Sequence, residues 1–246
     1  MNISQAFILL WIAHTLADFY LQWQKLAELK VSRQIGVLAH SFLYAGVMLA
    51  SLLFAEFNPY ALLLIIFSHA LLDWLKYLYL HRHDPKNKED KRKTPEQSAW
   101  LFIADQALHF VFIGLALWFW PTKGLRAWFS PVNLVSLRWL LLVLWVGKPA
   151  NISFKRIFNR YGKFQIKTET VEGAGAWIGF MERLLSIIFI HLGQYSALGF
   201  TIAAKSLARF KLISDNQQFA EYYLIGTLYS ILFAIFSYLL VFNVMP

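Results

Sequence analysis

The chain has 246 residues, 58% of them hydrophobic, 17% aromatic and only 15% charged, with a formal net charge of +9 and no cysteine. So apolar a chain has too little polar surface to dissolve as a globule, which excludes an ordinary soluble domain and predicts an all-α, polytopic transmembrane helix bundle. The absence of cysteine excludes disulfides, thiolate zinc sites, iron–sulfur clusters and cysteine nucleophiles.

A hydrocarbon core about 30 Å thick asks for about 20 apolar residues per helical crossing. In chain order this predicts helices over residues 4–23, 36–54, 59–80, 99–120, 133–146, 175–194, 195–208 and 221–244. The first has no basic leader and carries His14 and Asp18, so it is expected as a retained span rather than a cleaved signal peptide. Pro59 suits the first turn of the third. The seventh is short, with Gly193 and Gly199 near its start, and is expected as a tilted span or a re-entrant segment. About eight membrane segments result, arranged as a four-helix core over 1–120 and a C-terminal extension of the same bundle over 121–246. The connection at 81–98, HRHDPKNKEDKRKTPEQS, is too polar to pack.

Positive charge falls in alternate connections. Residues 24–35 carry Lys25, Lys30 and Arg33; 81–98, 147–174 and 205–211 are also basic, whereas 55–58 and 121–131 hold far fewer cations. Eight crossings with both termini outside would put every basic connection in the cytoplasm, as the positive-inside rule requires. The net charge is therefore expected to reflect topology and contact with anionic membrane lipids, not nucleic acid.

The chemistry lies in three aspartates within apolar segments, each with a histidine four residues away: His14/Asp18, His69/Asp73 and Asp105/His109. Residues i and i+4 share a helix face, and an aspartate at mid-bilayer costs roughly 2.5–3.5 kcal/mol, so three such pairs call for a function. The expected topology brings all six, with His40, to one cytoplasmic depth. Histidine and carboxylate together hold first-row metals, so these groups are read as ligands of a divalent ion (zinc, manganese or iron), either one octahedral ion or two bridged ions. His40 would be a ligand or a general base. Lys76 would neutralise Asp73 or hold a phosphate, and Gln22 and Gln106 would meet substrate or orient ligands. Glu182, Arg183 and Lys205 would form a polar wall for an anionic group. The bland alternative is interhelical hydrogen bonding alone.

The motifs AHTLADFYLQ, LAHSFLY, SHALLDWLK and ADQALHF resemble the bacterial membrane family catalogued as domain of unknown function 3307. The resemblance covers roughly the first 120 residues, and GFMERLL, LGQYSALGFTIAAKSLARF and EYYLIGTL look like the extension of longer members. It implies a multi-helical bacterial inner-membrane protein and no established activity. The HxxxD pattern also resembles part of the bacterial membrane-bound metal-dependent hydrolases, although the HRxxTHS segment of that group is lacking.

The leading expectation is an inner-membrane metal-dependent hydrolase of a lipid-linked or membrane-partitioned substrate, its site open to the cytoplasm. A cation- or proton-coupled transporter or channel would use the same cluster. A scaffold or sensor would instead bind a soluble partner through the basic loops.

Overall fold

The computed structural model describes residues 3–82, 99–129, 132–158 and 173–244. Most of the 81–98 connection and residues 159–172 of the 147–174 connection lie outside them. The described residues are helical apart from turns and one antiparallel bridge, Ala55 to Leu125. The chain divides into two compact units, Met1–Leu144 and Trp145–Met245.

The first unit opens with α1 (Ile3–Thr15), which runs into a single π-helical turn, Leu16–Tyr20. The turn is closed by Leu21 N donating to Leu16 O at 2.7 Å and is fastened by the Tyr20 hydroxyl donating to Leu144 O at 2.9 Å. Next come α2 (Gln24–Ser32) and α3 (Gln34–Ala50), α3 ending in a 3-10 turn at Ser51–Leu53. They are followed by α4 (Pro59–Arg82), α5 (Ala99–Phe119) and α6 (Leu134–Val146). On α3 the buried residues Val37, His40, Tyr44 and Met48 recur every three or four positions. On α4 Ile65, His69, Asp73 and Tyr77 recur every four positions. These helices are apolar around most of their circumference and turn a polar stripe inward, the reverse of a soluble bundle. Phe42 is 77% exposed and Phe67 68%, a surface suited to lipid.

Only Arg33 separates α2 from α3, in an extended conformation, so the end of one helix lies against the start of the other. A Cβ on Gly36 would stand 2.1 Å from the Leu29 carbonyl carbon and 2.4 Å from Lys30 N. Backbone cannot yield as a side-chain tip can. Gly36→Ala is therefore expected to destabilise the protein by about 1–3 kcal/mol. A thermal midpoint in detergent equal to that of the wild type would show that the close approach is not required.

At the far end of the unit, the α3–α4 and α5–α6 connections are tied backbone to backbone. Glu56 N donates to Gly124 O at 2.8 Å and Arg126 N to Phe54 O at 2.9 Å.

In the second unit, α7 (Lys148–Phe158) and α8 (Ala174–His191) precede α9 (Tyr195–Ala208), with Gly193 at φ 68° in the link. After α10 (Phe210–Asp215), α11 (Gln217–Leu239) is capped by Asn216 Oδ1, which accepts from Phe219 N at 2.9 Å.

The expected span count needs correction. Among the described residues five helical stretches are long and apolar enough to cross a membrane: Gln34–Leu53, Pro59–Arg82, Ala99–Phe119, Ala174–His191 and Gln217–Asn243. α6 has 13 residues and α9 has 14, rising about 20 Å, short of a 30 Å core. The first apolar run is no single rod either, because the π turn and a bend at Leu21 and Gln22 interrupt it.

Candidate metal centre

α4 places His69 and Asp73 one turn apart on its buried face, with Nε2 and Oδ2 separated by 3.2 Å. α3 brings His40 to the same point. Its Nε2 lies 3.1 Å from His69 Nε2 and 3.5 Å from Asp73 Oδ2. These three atoms form a nearly equilateral triangle. Bonds of about 2.0–2.2 Å would set neighbouring ligand atoms about 3.3–3.5 Å apart around a tetrahedral ion, so the triangle fits one face of such a site. Asp18 adds a carboxylate oxygen 3.0 Å from His40 Nε2 and 4.0 Å from His69 Nε2. Two triads, Asp18–His40–His69 and His69–Asp73–His109, each offer ligand atoms within 4.8 Å of one another. His69 belongs to both.

The π turn explains why Asp18 reaches His40. A π turn winds more residues than an α turn, so Asp18 is rotated away from the i−4 position. It stands 4.0 Å from His14 but 3.0 Å from His40. Two of the three expected His/Asp pairs are looser than the shortest contacts between helices. His109 Nε2 lies 3.7 Å from Asp105 Oδ1, whereas Lys76 Nζ is 2.8 Å from Asp105 Oδ2. The dyads are fragments of one cluster across helices, not independent units.

Several polar atoms at its centre lack a partner. His40 Nδ1, His69 Nδ1, His109 Nε2 and Asp73 Oδ1 are buried without a hydrogen-bond partner. Each such atom costs about 1–3 kcal/mol if nothing satisfies it, and of the two facing Nε2 atoms of His40 and His69 only one can donate to the other. The His40, His69 and Asp73 atoms that face one another could hold a metal ion.

His14 has a different part. The Gln106 amide nitrogen donates to Asp18 Oδ2 at 3.1 Å, so its oxygen, 3.3 Å from His14 Nε2, must accept. His14 Nε2 therefore carries the proton, and Nδ1, 3.2 Å from the Tyr44 hydroxyl, accepts from it. With its two nitrogens against Gln106 and Tyr44, His14 stands outside the two ligand triads, although the sequence expected it as a ligand. Tyr44 also stacks on His69, ring centroids 3.5 Å apart and planes within 3°, which fixes that imidazole.

Sequence reasoning missed two residues, Tyr44 and Lys30. Lys30, counted there only as a loop charge, extends from α2 to within 2.7 Å of Asp73 Oδ2 and 3.7 Å of Asp18 Oδ1. Burial alone would lower its pKa, but the two carboxylates outweigh burial and hold it above the ordinary lysine value, so the ammonium persists. Lys30 neutralises Asp73, the task expected of Lys76, which pairs with Asp105 instead. Charge parity was the available signal, since three buried aspartates with Lys76 as their sole cation would leave two negative charges unmatched.

The cluster opens to one side. His14 and His40 are wholly buried, while the Lys30 side chain is 14% exposed and that of Lys76 30%. One or two turns the other way, Leu10, Met48, Leu62, Ile65, Ile113 and Leu117 form a fully buried apolar layer. Gln22 lies half-buried in the turn after the π helix and takes no part in the hydrogen-bonded cluster.

Glu182, Arg183 and Lys205 belong to the second unit. Lys205 Nζ donates to Glu182 Oε2 at 2.8 Å and to Thr227 Oγ1 at 3.2 Å. Buried Arg183 donates to Val146 O at 2.6 Å and to Asn151 Oδ1 at 2.7 Å. These contacts account for their placement without a ligand.

Comparison with curated proteins and with solved structures returned no match. The family model described as "Protein of unknown function (DUF3307)" matches residues 6–136, just over half of the chain and every residue of the cluster. The chain belongs to that family.

Proposed function

We propose that the first unit holds a divalent metal ion and that the chain is a metal-dependent hydrolase of an inner membrane, acting on a lipid-linked or other membrane-partitioned substrate. One observation carries the reading: His40 Nε2, His69 Nε2 and Asp73 Oδ2, mutually 3.1–3.5 Å apart and buried, with Asp18 Oδ1 at their edge. Two neutral imidazoles with carboxylates suit zinc, manganese or iron. Such an ion, when bound, brings the pKa of a coordinated water towards neutrality and so supplies a nucleophile. His109 Nε2, buried and unpartnered beside Asp105, is placed to take a proton.

The apolar layer beyond the cluster supports a one-sided site over a transport path, which needs polar groups towards both faces. The five membrane-length helices support placement in a bilayer, and the partly exposed lysines support an opening towards the headgroups rather than the lipid tails.

Elemental analysis of detergent-purified protein incubated with Zn2+, Mn2+ or Fe2+ tests the metal. The wild type is expected to retain one of them, and Asp18→Asn to retain at least about tenfold less. Release of headgroup or fatty acid from phospholipid vesicles should depend on that metal and fall with the same variant. Absence of metal uptake rejects the reading. Uptake without cleavage of any lipid-linked ester or phosphate removes the hydrolase and leaves a metal-binding protein.

A further inference from the structure

We infer that Lys30 is the anion-binding residue of this site: a divalent ion takes Asp73 from it, and the freed ammonium receives a phosphate-type oxyanion of the substrate. This deepens the metal reading and rests on it. Asp73 Oδ2 is both a corner of the ligand triangle and the atom 2.7 Å from Lys30 Nζ. A divalent ion on that oxygen would place two like-signed charges within a few ångströms in a buried setting, which favours withdrawal of the ammonium. Lysine can withdraw because its charge sits on a flexible four-carbon stem. Its root cannot, because the Gly36 contact clamps the backbone at Leu29 and Lys30 against α3.

Charge then selects the ligand. Asp18, Asp73 and Asp105 carry three negative charges against the two positive charges of Lys30 and Lys76, a net of minus one. A divalent ion turns this to plus one, and both lysines stand on the exposed side. The loaded site therefore attracts an anion to the freed Lys30 ammonium. Metal and oxyanion are expected to bind with positive coupling, which by linkage is equal in both directions.

The test measures Mn2+ affinity of the full-length, detergent-purified chain at buffered free Mn2+, with and without inorganic phosphate. A parallel pair of measurements uses nanodiscs of phosphatidylcholine with or without phosphatidic acid. In the wild type an oxyanion should tighten Mn2+ binding about tenfold. Lys30→Met should bind Mn2+ more tightly than wild type without anion and lose the coupling, and Lys30→Arg should keep part of it. Coupling with phosphatidic acid alone identifies a lipid headgroup, and coupling with inorganic phosphate a soluble or headgroup-detached oxyanion. A wild type that binds Mn2+ without anion coupling, or a Lys30→Met variant with unchanged coupling or weaker Mn2+ binding, overturns the assignment and spares the metal site. A wild type that binds no metal rejects both at the first step.

Discussion

His69→Ala is expected to abolish metal binding, with a loss of more than about a hundredfold in affinity, and with it any metal-dependent turnover. No other residue of the cluster is so placed. His69 is shared by both ligand triads, its Nε2 faces His40 and Asp73 at 3.1 and 3.2 Å, and its ring is held by Tyr44. The variants around it should fall in order. His14→Ala removes a residue whose two nitrogens are already engaged with Gln106 and Tyr44, so it should act only by loosening Asp18, costing about 10–100-fold. Tyr44→Phe keeps the stacked ring and loses one hydrogen bond to His14, and should cost less than either. Titration of the three purified variants with Zn2+ or Mn2+ checks the order. If His14→Ala proved as damaging as His69→Ala, His14 would be a ligand and the tautomer argued from Gln106 would be wrong.

That ranking was out of reach of the sequence, although membership of the cluster was not. The helical spacing of His14, Asp18, His69, Asp73, Asp105 and His109 within apolar runs pointed to one buried constellation, and the structure brings them together with His40. The i, i+4 rule describes one helix face. It is silent on which neighbour each side chain meets, and here the shortest contacts run between helices. The π turn at Leu16–Tyr20 has no composition of its own, yet it decides that Asp18 faces His40. Lys30 was hidden for the opposite reason. It lies in a short polar helix that reads as a connection, and its position depends on Gly36 admitting the α2 backbone. The span count failed because hydropathy registers apolar length and not rise, so the 13-residue and 14-residue helices looked like crossings.

Lys30→Met and Asp73→Asn should each destabilise the metal-free protein, and the double variant should be more stable than either. Lys30 and Asp73 are 2.7 Å apart, the carboxylate wholly buried and the ammonium 14% exposed. Removing one member of a buried ion pair costs about 3–5 kcal/mol because the survivor is left uncompensated, whereas removing both costs little. The two single changes are not equivalent. After Asp73→Asn the ammonium still has Asp18 at 3.7 Å and a path to water, so its loss should lie at or below the lower end of that range. After Lys30→Met the Asp73 carboxylate is stranded with His40 and His69, and its loss should be the larger. The same stranded carboxylate is a better metal ligand. Zn2+ or Mn2+ should therefore raise the melting temperature of Lys30→Met by more than that of wild type, since a ligand bound only by the folded state at free concentration L stabilises it by RT ln(1 + L/Kd), which grows as Kd falls. The double variant should show the recovered stability and no response to metal. Thermal unfolding of the four proteins in detergent, with chelator and with metal, closes the cycle. Additive single losses would mean that the two side chains do not interact. A metal-induced shift in the double variant equal to that of wild type would show that Asp73 is not among the ligands.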